Sequence, residues 1–134
     1  MAGGLFLDGR VVNALDLAAV DLHDAALVIL SGCETARVAG DVGDEYVGLL
    51  RGVFAAGARA VLATGWLADD HVAAELVRRV YEQWLAGAPL DEALARSAAA
   101  IRAAHDDPYY WANFAAYGER IRRGEVPTAP ATNA

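Results

Sequence analysis

"LVILSGCETARVAGDVGD", residues 27 to 44, is the stretch whose reading decides the fold. Its first four residues form a continuous apolar run rather than an alternating one, which is the pattern of a parallel strand covered on both faces. The run stops at Ser31-Gly32, two small residues that let the backbone turn sharply out of a sheet. Cys33, the only cysteine of the chain, follows at once. From these residues alone, Cys33 is either a nucleophile displayed at the end of a buried strand or a small packing hydrophobe.

A second run of the same character, "AVLAT", occupies residues 60 to 64. Between the two, "EYVGLLRGVFAAG" at 45 to 57 repeats its large apolar residues three and four apart and closes on Gly57, as a helix with a glycine C-cap does. The three pieces predict a β-α-β unit. Its crossover is expected to be right-handed, with the carboxyl ends of both strands side by side on one sheet edge.

The flanks extend this frame. "LFL" and "RVV" surround Asp8-Gly9, a strong two-residue hairpin signal. Asn13 is placed to cap a helix over 14 to 20 with an apolar stripe of Leu15, Leu17 and Val20. Asp69 or Asp70 opens a long amphipathic helix in which Val72, Leu76, Val80, Trp84 and Leu85 share one face, and Gly87 stops it. Another helix, Ala-rich, begins at 89 to 91 with Asp91 and Glu92 at the positive end of its dipole. "DDPYYW" breaks it, and 114 to 117 read as a final short strand. From 118 onward the composition turns to polar, Pro, Thr and Ala residues, which predicts a fraying tail.

At 134 residues, 56% hydrophobic and 22% charged, the chain fits one domain with a real core. No apolar run approaches the roughly 20 residues that cross a bilayer, and the first residues lack a basic n-region with a long apolar stretch, so a cytoplasmic location without membrane contact is expected. A net charge of −7 repels a phosphate backbone, which speaks against nucleic acid; it would favour basic peptides, but acidity of this size is first of all ordinary solubility chemistry. A single cysteine rules out an internal disulfide and a Cys-rich zinc site. No cofactor and no metal are expected, because Gly40 and Gly43 lack the strand context or the Lys-Ser/Thr of a nucleotide fingerprint.

In open α/β sheets ligands gather beyond the carboxyl ends of the strands, and Cys33 lies in that crevice. A nucleophilic cysteine draws its thiolate from a histidine or a helix N-terminus nearby. His23 precedes the Cys33 strand and is expected at the opposite sheet edge; His105 ends a late helix at the surface. His71 leaves the adjacent strand on the Cys33 edge, so a Cys-His dyad is geometrically conceivable. The competing reading makes it an exposed residue in the first turn of a helix, where the dipole disfavours an imidazolium.

Taken together, "LVILSGCET", then "GDEYVGLLRGVFAAGARAVLATGWLADD", then "PYYWANFAAYG", with "LDLAAVDLHDA" before them and "WLAGAPLDEAL" among them, resemble the C-terminal half of a CHAT domain. That is the caspase-like domain often attached to tetratricopeptide repeats. The likeness runs over about residues 5 to 118, in family order and spacing. It implies a partial caspase-like three-layer α/β sandwich with a mainly parallel sheet, the N-terminal strands of the family domain missing. Residues 1–118 would form this part and 119–134 a flexible tail.

The resemblance also implies a chemistry, that of the cysteine endopeptidases that include caspases, separases and gingipains. Cys33 matches the nucleophile. The family's dyad histidine, followed by glycine, sits on an earlier strand before the segment matching Leu5, and this chain has no such residue. Asp70 matches the acidic residue of the pocket for the substrate residue before the cut, where it would pair with arginine or lysine. Its other reading is a helix N-cap, and Asp69 could take that duty instead. Trp66 either walls that pocket or, the stronger reading for an aromatic just after a buried strand, packs in the core.

The expectation is therefore the nucleophile-bearing portion of a CHAT-type cysteine endopeptidase cleaving after a basic residue, inactive alone. Its partners would be a protein or peptide substrate and an N-terminal half-domain or tetratricopeptide-repeat region from another chain. The alternative is a non-catalytic CHAT-like module that binds protein through its crevice or its open sheet edge.

Overall fold

The computed structural model describes residues 5–31, 42–66 and 69–124. It is an α/β fold whose elements run β1 (Leu5–Leu7), β2 (Arg10–Val12), α1 (Ala14–Ala18), β3 (Leu27–Leu30), α2 (Val42–Ala55), β4 (Ala60–Thr64), α3 (Asp70–Leu85), α4 (Leu90–Ala104), α5 (Pro108–Trp111) and β5 (Phe114–Gly118). Among the described residues, no helix is long and apolar enough to cross a membrane.

The Asp8-Gly9 turn has φ of 47° and 76° at its two central residues. Positive φ at both is the type I′ geometry that matches the twist of β1 and β2, which pair antiparallel from Leu5↔Val12 to Leu7↔Arg10. Asn13 caps α1 through a reciprocal box: its Oδ1 accepts from the Leu15 and Asp16 amides at 2.8 and 3.0 Å, while Asp16 Oδ2 accepts from the Asn13 amide at 2.9 Å. The helix is shorter than expected, and the stripe read from it does not form. Leu15 is 81% exposed and Val20 is exposed too. With only five residues, α1 lays Ala14 against Gly48 and Gly52 of α2 and turns Leu17 inward, so Leu15 faces away.

The main sheet has the order β3-β4-β5. β3 and β4 are parallel, in register from Leu27↔Ala60 to Leu30↔Ala63. β4 and β5 are antiparallel, from Ala60↔Gly118 to Thr64↔Phe114. The sheet is thus small and mixed, one ladder of each kind. Two strands cannot be reversed in parallel without a helix between them, and α2 supplies it; β5 follows a short turn after α5 and returns antiparallel.

Both faces of β4 are covered. Ala60 and Leu62 join Leu76, Val80 and Trp84 of α3, Leu90, Ala93 and Ile101 of α4, Phe114 and Ile121. Val61 and Ala63 join Leu50 and Val53 of α2 and Ala58, with Leu17, Leu22, Val28, Leu30 and Tyr117 packed alongside. Residues 60–63 expose no surface, and burying a leucine such as Leu62 stabilises by about 1.5–3 kcal/mol. β3 differs from the expectation of burial on both faces: each of its four residues is only half-buried. It sits at the sheet edge, so apolar side chains that a flanking strand would shield keep contact with solvent. Leu85 likewise departs from the predicted α3 face and is exposed in the last turn.

Past β5 the backbone docks on the α3–α4 turn. Ile121 is buried and its carbonyl accepts from the Leu90 amide at 3.1 Å. Arg120 Nε donates to both Asp91 oxygens at 3.1 and 2.9 Å and its Nη2 to Glu92 Oε1 at 2.7 Å.

Two predictions test this architecture. Gly118 has φ of 94°, and a Cβ there would fall 2.4 Å from the Arg59 carbonyl oxygen, whereas Gly87 has φ of 100° with nothing within 4 Å. Gly87→Ala is expected to cost about 1 kcal/mol of conformational strain and Gly118→Ala at least about 2 kcal/mol more through the added clash, read as the gap between their denaturation midpoints. The second concerns pH. Hydrogen bonds from Arg120, reinforced by its charge, hold the Asp91 carboxyl below its ordinary 3.8. A depressed folded-state value means that this tie stabilises above the ordinary value and fades as pH falls through the depressed one. Arg120→Ala is expected to move the Asp91 titration upward in an NMR carboxyl titration and to remove that acid-range dependence.

Candidate active-site rim

Parallel register puts the carboxyl ends of β3 and β4 at one level: Leu30 is opposite Ala63, so the chain leaves β3 at Ser31 beside Thr64. β5 runs the other way and starts at the same level, Phe114 opposite Thr64. This end of the sheet is the rim to which the sequence assigned the site. Cys33, with its neighbours Glu34 and Thr35, lies outside the described residues. Ser31, the last described residue before it, is exposed on the rim.

On the β4 side the backbone is described up to Trp66 and again from Asp69. Asp69 is the N-cap of α3: extended at φ −66° and ψ 124°, its Oδ1 accepts from the His71 amide at 3.1 Å and the Val72 amide at 3.0 Å. Of the two duties read for Asp70, the capping one is thereby taken by Asp69. Asp70 is the first helical residue, is exposed, and its carboxylate accepts no hydrogen bond among the described residues.

Trp66 does not pack in the core. It is 41% exposed, and its Nε1 donates to the Tyr109 carbonyl at 3.2 Å. The residue before it, Gly65, donates its amide to the Asn113 carbonyl at 2.7 Å. The reason is the return of β5: α5 and Asn113 occupy the space over the end of β4, and the indole lies across α5 instead of beneath it. Tyr110 and Trp111 pack against the α3–α4 core as expected, whereas Tyr109 is 37% exposed. Asn113 is 3% exposed, and its Oδ1 has no hydrogen-bond partner.

The histidines separate as read. His23 is at the opposite end, beside Gly57 and paired with Asp21 through Nδ1 at 2.8 Å, and the neighbouring Leu22 amide donates to the Ala56 carbonyl. That hydrogen bond from His23 holds the Asp21 carboxyl below its ordinary range. His105 closes α4 and lies over Tyr110, ring centres 4.8 Å apart. His71 is exposed in the first turn of α3, on the rim side. Among the described residues no three His, Cys, Asp or Glu side chains group as metal ligands. The clefts lined by Gly87, Pro89 and Arg122 and by Leu90, Gly118 and Arg120 lie toward the far end, where β4 begins.

Sequence reading missed the part played by 107 to 113 in shaping this rim. The signal was present in Asp107-Pro108-Tyr109, an N-cap followed by proline at the first helical position, which starts a turn rather than merely breaking one.

The family model described as CHAT domain matches residues 1–119. The chain matches none of the curated proteins and none of the solved structures with which it was compared. Nearly all of the fold described above, from β1 through β5, falls within the matched span, and the chain belongs to the CHAT domain family.

Proposed function

We propose that the chain is the nucleophile-bearing part of a CHAT-type cysteine endopeptidase that cleaves after a basic residue. The observation that carries this reading is the division of labour between neighbouring aspartates: Asp69 caps α3, which leaves the Asp70 carboxylate free on the rim where β3 delivers the chain toward Cys33. A guanidinium beside Asp70 can take a bidentate, charge-assisted pair of hydrogen bonds. The net charge of −7 draws basic peptides toward the rim.

In the reaction, the Cys33 sulfur as thiolate forms a bond to the scissile carbonyl carbon. The C–N bond breaks, and the departing amine takes the proton that the thiol gave to a base. Water then attacks the thioester, which releases the new carboxylate and returns sulfur and base to their starting states. The base is supplied by the histidine of the family's earlier strands, so the nucleophile-bearing part alone is inactive. In the completed caspase-like sandwich those strands pair with the open edge of β3 and extend its parallel ladder. An N-terminal half-domain or repeat region from another chain is the partner of this reading, and a reducing cytoplasm keeps the lone thiol free.

A second reading is supported by exposed apolar side chains: Leu7, Val11, Leu15, Val20 and Val47 are exposed on β1, β2, α2 and in and after α1, and β3 is half-buried, so the chain also fits a non-catalytic module that docks a protein.

Because Cys33 is the only thiol, labelling separates the readings. A peptidyl-arginine chloromethyl ketone is expected to alkylate Cys33 about tenfold faster than its leucine counterpart, and Asp70→Asn to erase that preference without slowing iodoacetamide. Equal rates for the arginine and leucine reagents would sink basic-residue recognition. Hydrolysis of arginyl peptides by the isolated chain, lost in Cys33→Ala, would overturn its assignment as inactive alone and make His71 the base to test.

A further inference from the structure

We infer that the cleft between the α3–α4 turn and the segment after β5 is a binding site for a small oxyanion, a carboxylate or a phosphate. The cleft has a volume of about 370 Å³, within the range of small-molecule sites. It lies away from the rim: Gln83, in its wall, comes thirteen residues after Asp70 on α3, about 20 Å along the helix. The wall draws donor side chains from three separate stretches of the chain, Gln83 of α3, Arg96 of α4 and Arg122 beyond β5. Short residues of the turn, Ala86 and Ala88 among them, leave the space that these longer side chains surround.

Each donor is placed by a contact behind it. Gln83 Nε2 donates to the hydroxyl of Ser97 at 2.9 Å, and Ser97 is fully buried, so the amide is anchored to the α4 core. Arg96 Nη2 donates to Glu92 Oε2 at 3.2 Å, and Arg122 Nη1 to the Gly87 carbonyl at 3.3 Å. Glu92 is the one carboxylate in the wall among the described residues, and both of its oxygens are engaged, Oε2 by Arg96 and Oε1 by Arg120 at 2.7 Å. What remains is an excess of N–H donors: Arg96 uses one of its five and makes no other hydrogen bond among the described residues. A guanidinium fork matches the oxygens of a carboxylate or a phosphate, whereas a cation entering the same space would meet two like charges. Donors already held in place also lose less side-chain entropy when the anion binds.

The test is an NMR titration of the whole chain at constant ionic strength, with succinate and with inorganic phosphate, followed at the Arg96 and Arg122 side-chain Nε signals and the Gln83 side-chain amide. Saturable shifts of these signals are expected with at least one of the anions, and the tighter binder names the chemistry as carboxylate or phosphate. Arg96→Gln is expected to weaken that binding roughly tenfold through loss of a charge-assisted hydrogen bond. Gln83→Glu, which keeps a bond to the Ser97 hydroxyl and puts a second carboxylate in the wall, is expected to abolish it. Arg51→Gln, which removes the same charge from an exposed position on α2, is expected to stay within about twofold of wild type. Absence of saturation with both anions would overturn the site. So would a loss in Arg51→Gln equal to that in Arg96→Gln, because the shifts would then report general charge screening. Either result leaves the Asp70 pocket, at the other end of α3, standing.

Discussion

Everything in this fold hangs on the complete burial of β4. Its four residues from Ala60 to Ala63 alternate between two cores, with Ala60 and Leu62 toward α3 and α4 and Val61 and Ala63 toward α2. A strand so placed must hydrogen-bond along both edges, because an unpaired buried amide costs about as much as the rest of a residue's packing contributes. β3 and β5 satisfy those edges, one parallel and one antiparallel. The alanines at positions 60 and 63 let helices approach both faces, and larger side chains there would overpack a site with no exposed surface to relieve them. The rim follows from the same constraint: once the registers are fixed, Ser31, Thr64 and Phe114 have to end at one level.

Burial is distributed unevenly about this strand. β4 is dry, β3 is half-buried, and nothing between residues 5 and 20 is fully buried among those described. Apolar surface left in water contributes nothing to stability, and an edge strand with free amides and carbonyls is a template for pairing. A further element would thus add most at the half-buried β3, whereas the α3–α4 side is closed by Ile121 and the Arg120 ties to Asp91 and Glu92.

The parts legible in the sequence were those governed by local rules. Asp8-Gly9 signalled a two-residue hairpin, Asn13 a helix cap, and two unbroken apolar runs a parallel pair, because each signal acts within a few residues. What escaped depends on contacts between distant residues. The run "LVIL" looks the same whether it lies in the middle of a sheet or at its edge, so the half-burial of β3 could not be read from it. Trp66 was expected inside because aromatic residues after buried strands usually are; a carbonyl 43 residues away in sequence holds it at the surface instead. Ile121 sits in a stretch dominated by arginines, and its burial answers to the hollow at Leu90 rather than to its neighbours. Of the candidate site, the capping duty was legible only as one of two alternatives, and the structure gives it to Asp69; the pocket role of Asp70 and the part of Cys33 rest on sequence alone.

Two aspartates in succession solve an electrostatic problem that one cannot. The N-terminus of a 16-residue helix carries unsatisfied amides and a dipole end worth about half a positive charge, which by itself repels a cation. A lone capping carboxylate neutralises that end but is tied to the amides, as Asp69 is through Oδ1 to those of His71 and Val72. In the proposed reading the second carboxylate, at the first helical position and without a hydrogen bond among the described residues, would receive the basic side chain, and a guanidinium, with donors arrayed in a rigid plane, matches a carboxylate better than an ammonium does. Replacing that second carboxylate by an amide would leave the helix end with the Asp69 carboxylate alone, which does no more than offset the dipole. The helix start would then lose its pull on a basic side chain, while the cap and the fold beneath stayed in place.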